Sequence, residues 1–134
     1  MTKNKGFTFI EVMVAVAIVG ILLSIAYPSY IQHVYKGSRA EAMSSLLDAA
    51  NRQEQFYADN HRYSSSLSEL GVQSVSNSGL FSLSVTSDGT TFSITASPID
   101  EPATKDPDCS GFTIDELGQK TATGGGGNNT CWNR

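Results

Sequence analysis

Residues 3 to 28 read KNKGFTFIEVMVAVAIVGILLSIAYP, and the reading of this stretch decides the fold. Lys3 and Lys5 stand just before Gly6. Phe7 follows, and behind it comes an almost unbroken apolar run that holds a single carboxylate, Glu11. From Val12 to Ala26 there is no charge. At about 1.5 Å of helix per residue, the run is about long enough to cross a hydrocarbon core of about 30 Å. An acid near the start of such a segment is costly, so Glu11 is a functional candidate on energetic grounds alone. The two lysines ahead of the run favour a cytoplasmic N-terminus, with the rest of the chain on the far side of the membrane. A secretory signal would be cut behind its apolar core, yet Tyr27-Pro28-Ser29-Tyr30 follows the run and offers no convincing small-x-small site.

Working outward, the helical pattern continues beyond the membrane segment. Apolar residues fall at Ile31, Val34 and Tyr35, then at Ala42, Met43, Leu46, Leu47 and Ala50, and finally at Phe56 and Tyr57. Steps of three and four mark one helix face. The opposite face holds Arg39, Glu41, Ser45, Asp48, Arg52 and Gln55. The pattern predicts one helix from Phe7 to about Asn60, roughly 80 Å long. Its first half is apolar all round and needs lipid or other apolar helices. Its second half is amphipathic and should pack on a domain. Gly20, Pro28 and Gly37 are its weak points, because glycine is unrestrained and proline lacks an N–H and clashes with the preceding turn.

A polar connection follows from Asn60 to Gly79, anchored by Leu67, Leu70 and Val72. Leu80 to Thr86 and Thr91 to Ala96 alternate, with Asp88-Gly89 between them, which predicts a hairpin. One of its faces should cover the amphipathic helix. Pro98 to Pro107 reads as a loop. Cys109 to Ile114 reads as a third strand and Gln119 to Thr121 as a short fourth, with a flexible run at Gly124 to Gly127. The fold class is therefore α+β: a long N-terminal α-helix packed on a small antiparallel β-sheet.

The chain of 134 residues carries 9 Lys and Arg against 13 Asp and Glu, a net charge of −4. Through residue 60 the charges balance. After it Arg62, Lys105, Lys120 and Arg134 face eight carboxylates, so the soluble part is acidic. That counts against non-specific binding to nucleic acid while leaving room for a local basic patch. Cys109 and Cys131 lack the spacing of a metal knuckle, and in an exported protein such a pair predicts one disulfide closing a C-terminal loop. Trp132 would then cover apolar surface. No catalytic constellation is present: His33 and His61 are 28 positions apart along one helix, and neither a nucleophile elbow nor a phosphate-cradling glycine loop occurs. Asp106-Pro107-Asp108 hints at calcium without the ligand spacing of a calcium loop, and Asn128-Asn129-Thr130 matches a glycosylation acceptor short enough to arise by chance. An enzyme, a metal site and a cofactor are not expected.

Gly6-Phe7-Thr8-Phe9-Ile10-Glu11, followed by a hydrophobic helix and Pro28, resembles the type III signal of type IV pilins. The resemblance implies that a prepilin peptidase cuts between Gly6 and Phe7 and methylates the new N-terminal Phe7. It implies that Glu11 is the assembly carboxylate, pairing with the Phe7 amine of a neighbouring subunit rather than snorkelling to the headgroups. Pro28 takes the place of the proline that interrupts the family's helix, so Gly20 to Pro28 can unwind when subunits pack. On this reading residues 1–6 are a leader, 7–29 the transmembrane and filament-core segment, and 30–134 the soluble head. The Ser66-Leu67-Ser68-Glu69-Leu70-Gly71 loop, the Ile114-Asp115-Glu116-Leu117-Gly118-Gln119-Lys120 segment and the Cys131-Trp132 ending look like PilE-type minor pilins. The expected role is that of a structural subunit which primes or joins a type IV pilus for twitching motility, adhesion or DNA uptake. Its partners would be other pilins, the prepilin peptidase and the inner-membrane assembly machinery. It would sit in the inner membrane before assembly and in the extracellular filament after it. A major pilin, a type II secretion pseudopilin and an adhesive or DNA-binding pilin are the alternatives.

Overall fold

The computed structural model describes residues 6–133, so Lys3, Lys5 and Arg134 lie outside the described residues. In chain order the elements are α1 (Phe9–Asn60), β1 (Phe81–Ser87), β2 (Phe92–Pro98), a 3-10 turn (Ala103–Lys105), β3 (Gly111–Asp115), β4 (Lys120–Thr123) and α2 (Gly127–Trp132). The chain divides into two compact units, Met1–His33 and Val34–Arg134.

The first unit is the beginning of α1. Each described residue through Tyr30 is exposed. The helix is long and apolar enough here to cross a membrane. It runs unbroken through Gly20 and Pro28. It starts at Phe9, two residues later than the periodicity suggests, because Thr8 caps it.

The second unit is built on a stripe of α1. Ala42, Met43, Leu46 and Ala49 are buried there, together with Ser38, Arg39 and Gln53. The sheet order is β1-β2-β3-β4, with antiparallel neighbours throughout. Leu83 faces Ala96 across the first ladder, and Ile94 faces Ile114 and Ala96 faces Phe112 across the second. Because strand side chains alternate, this register puts the apolar set of three strands on one face. Phe81, Leu83, Phe92, Ile94, Ala96, Phe112 and Ile114 form a single core cluster with Ala42, Leu46 and Ala49. Asp88-Gly89 makes the hairpin turn, with Gly89 at φ 93. The Asp88 carboxylate accepts hydrogen bonds from the Thr90 and Thr91 amides at 2.8 Å, and those amides, Thr91 first, hold its carboxyl down to about 2.

Sequence and structure part company at the C-terminal end. The third strand begins at Gly111 rather than at Cys109, and the fourth runs from Lys120 to Thr123. The glycine run is not a loose tail. A Cβ at Gly124 would collide with the Asp108 carbonyl oxygen, and Gly126 N–H donates to that same oxygen at 2.9 Å. The run then enters α2, an element that the local sequence does not signal. The Asn128 side chain accepts the Ala122 N–H at 2.6 Å, closing part of the free edge of β4. Trp132 Nε1 donates to the Thr121 carbonyl at 2.9 Å, and its ring meets Phe112 edge to face at 5.8 Å.

Cys109 and Cys131 form a disulfide across 22 residues of sequence, and both sulfurs belong to the core cluster. A loop of this size is worth about 3 kcal/mol through the unfolded chain. Replacing both cysteines by serine should lower head stability by about that amount, read as a lower urea midpoint in the tryptophan fluorescence of the full chain in detergent. An unchanged midpoint would mean that side-chain packing alone holds α2.

Candidate functional site

Two regions carry the candidate chemistry, one in each unit. In the first, Gly6, Phe7 and Thr8 are exposed and non-helical, immediately before α1. Thr8 N–H donates to Glu11 Oε2 and Glu11 N–H donates to Thr8 Oγ1, each at 3.4 Å. This is a capping box: a threonine at the helix entrance and an acid three residues on satisfy one another's orphan amides. Its signal in the sequence is Thr-x-x-Glu before an apolar run, Thr8 to Glu11. Glu11 is therefore the one carboxylate in the first turn, and the apolar residues around it are exposed among the described residues. Gly6, Phe7 and Glu11 lie within one short stretch; Gly20 and Pro28 lie farther along the same helix.

In the head, the sequence pattern put Arg39 on the solvent side of α1. That expectation is corrected: Arg39 is 4% exposed and meets Asp106, which is 8% exposed. Arg39 Nε and Nη2 donate to the two Asp106 oxygens at 2.6 and 2.8 Å, and Nη2 reaches Asp108 at 3.4 Å. Helical periodicity sees only the polarity of Arg39. Its partner lies 67 residues away, and the pairing reverses the side on which the residue belongs. Asp106 also accepts the amides of Asp108 and Cys109. Burial alone would raise the Asp106 carboxyl, but the guanidinium and these amides outweigh it and hold it below its ordinary range. The hydrogen bond that Arg39 donates to Asp106 is likewise the main reason that the Arg39 guanidinium holds its proton more tightly than usual. The Asp106-Pro107-Asp108 stretch is thus a clamp between the loop before β3 and α1. Among the described residues, no group of three or more His, Cys, Asp or Glu is placed to hold a metal.

The remaining head cations are mostly paired. Arg52 meets Asp48 at 3.0 Å, Arg62 meets Glu69 at 3.9 Å and lies over the Phe56 ring, and Lys105 meets Glu101 at 3.6 Å. Among the described residues of the head, Lys36 and Lys120 are the cations without a carboxylate within 4 Å; Lys120 rests on the Trp132 ring, 5.6 Å from its centroid. No basic stripe results.

Comparisons with known proteins follow the same division. A family model described as "Type IV minor pilin ComP, DNA uptake sequence receptor" matches residues 28–113. One described as "Prokaryotic N-terminal methylation motif" matches residues 1–27. Over 69 residues the chain is 39% identical to the type IV major pilin protein PilA of Myxococcus xanthus, covering 52% of this chain and 31% of that protein. Over 61 residues it is 33% identical to the type II secretion system core protein G of Escherichia coli, covering 46% of this chain and 42% of that protein. The chain thus spans less than half the length of these two curated relatives. Among solved structures it resembles a type IV pilin from Shewanella oneidensis with a TM-score of 0.51 and 31% identity, covering 64% of this chain and 89% of that one.

The clamp makes a pH-dependent contribution with a definite sign. The folded Asp106 carboxyl titrates below its unfolded value near 3.8, so the stabilisation is complete above that value and is lost as pH falls through the folded one. Asp106→Asn should cost about 3–5 kcal/mol at neutral pH, because it leaves Arg39 buried beside a neutral amide. It should also flatten the acid limb of a stability-versus-pH curve measured by urea unfolding. Adding Arg39→Met should recover part of that loss.

Proposed function

The chain belongs to the type IV pilin family, and from that premise we propose that it is a minor pilin, a structural subunit that primes or joins a type IV pilus. The observation that carries the proposal is the exposed, uncharged helix from Val12 to Tyr30 with one carboxylate at its entrance, set directly behind Gly6-Phe7. Such a helix needs an apolar environment. The precursor would find it in the inner membrane, with Lys3 and Lys5 holding the N-terminus in the cytoplasm. The prepilin peptidase would cut between Gly6 and Phe7 and methylate Phe7. Residues 7–29 would then bundle with the helices of other pilins, and residues 30–134 would face outward. The free amine of Phe7 is a cation in low dielectric, as Glu11 is an anion, and each loses much if left unpaired. Glu11 of an incoming subunit would leave its cap on Thr8 for the amine of a subunit already in place. Unwinding between Gly20 and Pro28 would give that packing its freedom.

Two further readings each have a specific support. The likeness to core protein G supports a pseudopilin of type II secretion. Against it stands the disulfide-closed C-terminal loop. The description of the matched family supports a DNA receptor. Against that stand an acidic head and the pairing of its arginines. A binding assay with the soluble head and duplex DNA separates this reading from the first.

Quantitative mass spectrometry of sheared surface filaments tests the main proposal. The peptide beginning at Phe7 should be methylated and present in trace. If it dominates the filament, the chain is the major pilin. Glu11→Ala should still be cut after Gly6 but should fall at least about tenfold in filaments, since stranding one partner of a buried pair costs about 3–5 kcal/mol. Normal incorporation of that variant would sink the assembly role of Glu11.

A further inference from the structure

Two features on the surface of the head are open to solvent. The first is the tip of the β3–β4 hairpin, where Leu117 is 72% exposed. The tip is not loose. The Asp115 carboxylate accepts the amides of Leu117 and Gln119 at 3.0 and 2.8 Å, and the Gly118 N–H donates to the Asp115 carbonyl at 3.0 Å. Gly118 takes φ 70, which turns the chain back. The turn therefore holds Leu117 outward, beside Glu116, which has no cationic partner among the described residues.

The second feature is a groove of about 440 Å³ between α1 and the C-terminal segment. Met43, Leu47 and Trp132 give it an apolar wall, with Asn51 and Lys120 at its rim. Leu47 is 38% exposed although it is a leucine on the amphipathic half of α1. Asp48 also lines the groove, but Arg52 meets its charge at 3.0 Å. Among the described residues Lys120 has no carboxylate within 4 Å, so those that line the groove leave one positive charge unmatched beside an apolar wall.

We propose that the groove receives the Glu116-Leu117 turn of a second copy of this chain, with Leu117 against Leu47 and Trp132 and Glu116 facing Lys120. The two halves are complementary in kind: an apolar projection flanked by acids, and an apolar recess flanked by an unpaired cation. A second copy brings both parts of the contact, the exposed leucine and the acid beside it, to the apolar wall and the lysine. Knob and recess are different patches of one molecule, so the contact either pairs two copies reciprocally or runs head to tail from copy to copy. It rests on the filament reading only for where copies meet, and it adds that copies of this chain sit next to one another and not singly.

The test uses the full chain in cells. One tagged copy carries Leu117→Cys and a second, differently tagged copy carries Leu47→Cys. After mild oxidation, membranes and sheared filaments are digested, and mass spectrometry seeks the joined peptides while confirming the Cys109–Cys131 bond. A 117–47 link should form only when both copies are present. Lys120→Glu in the Leu47→Cys copy should lower its yield up to about fivefold, the upper range for an exposed ion pair, and Glu116→Lys in the other copy should restore it. Filaments that contain both copies without the link overturn the contact and leave the filament reading intact. A link in membranes with neither copy in filaments supports the contact and overturns the filament reading. Absence of both overturns both.

Discussion

The head depends on one contact, the stripe of α1 from Ala42 to Gln53 against the inner face of the sheet. Ala42 and Ala49 are small, and each is wholly buried; Leu46 between them is buried as well. Two small residues and one leucine of the helix thus share one buried cluster with Ile94 and Phe81. Each strand contributes by alternation alone, so the helix fixes which face is inner, and a slip of one residue would turn Phe81, Leu83, Ile94 and Phe112 outward. Fully burying one such side chain is worth about 1.5–3 kcal/mol, which is why register is strongly specified here.

Polar groups then fix what packing leaves free. Gln53 is wholly buried in the last turns of the stripe, and its amide acts as a length of strand. Its Nε2 donates to the Ser64 carbonyl at 2.7 Å, and its Oε1 accepts the Ser64 amide at 2.9 Å. That pair sets the path of the chain as it leaves the helix. Glu41 does similar work earlier, accepting the Ser78 amide at 3.0 Å and the Ser78 hydroxyl. Arg39 and Asp106 hold the loop that precedes Cys109, and the disulfide carries the constraint on to α2. Buried polar residues such as these are costly when half satisfied, and here no buried side-chain nitrogen or oxygen lacks a partner among the described residues.

What could be read in the sequence follows from the range of each signal. The apolar run, the amphipathic half of α1 and the Asp88-Gly89 hairpin are periodic or local, and all three stand in the structure close to where the sequence puts them. The pairing of Cys109 with Cys131 needed only compartment and count. The start of α1 at Phe9 is marked locally by the capping pattern of Thr8 and Glu11. The burial of Arg39 is not, because a lone arginine on a helix carries no mark of a distant aspartate. Nor is α2. Gly-Asn-Asn-Thr is a poor helix former, and six residues are too few to stand alone. The helix exists because the Asn128 side chain and Trp132 are tied to β4 and Cys131 is tied to Cys109, ahead of β3. At the N-terminus, the order of Gly6, Phe7 and Glu11 carries the expectation of a processing motif, and the structure adds that Glu11 and Thr8 cap the helix entrance.

The charge pattern of the head bears on what it can bind. Non-specific affinity for a nucleic-acid backbone comes from cations that are free to replace counterions. In this head Arg39 is buried in an ion pair, and Arg52, Arg62 and Lys105 each have a carboxylate within 4 Å. Recruiting the exposed ones would mean exchanging a protein carboxylate for a phosphate, a gain of little more than the difference between two screened pairs. Recruiting Arg39 would strand Asp106 in the core and undo the anchor of the disulfide loop. Lys36 and Lys120 remain among the described cations, and Lys120 is already stacked on Trp132. A surface so arranged offers few free cations to a phosphate backbone among its described residues. The acidic excess, for its part, repels free heads in solution, and close packing then requires matched contacts of the kind that a lysine on an aromatic ring and an acid beside an exposed leucine can supply.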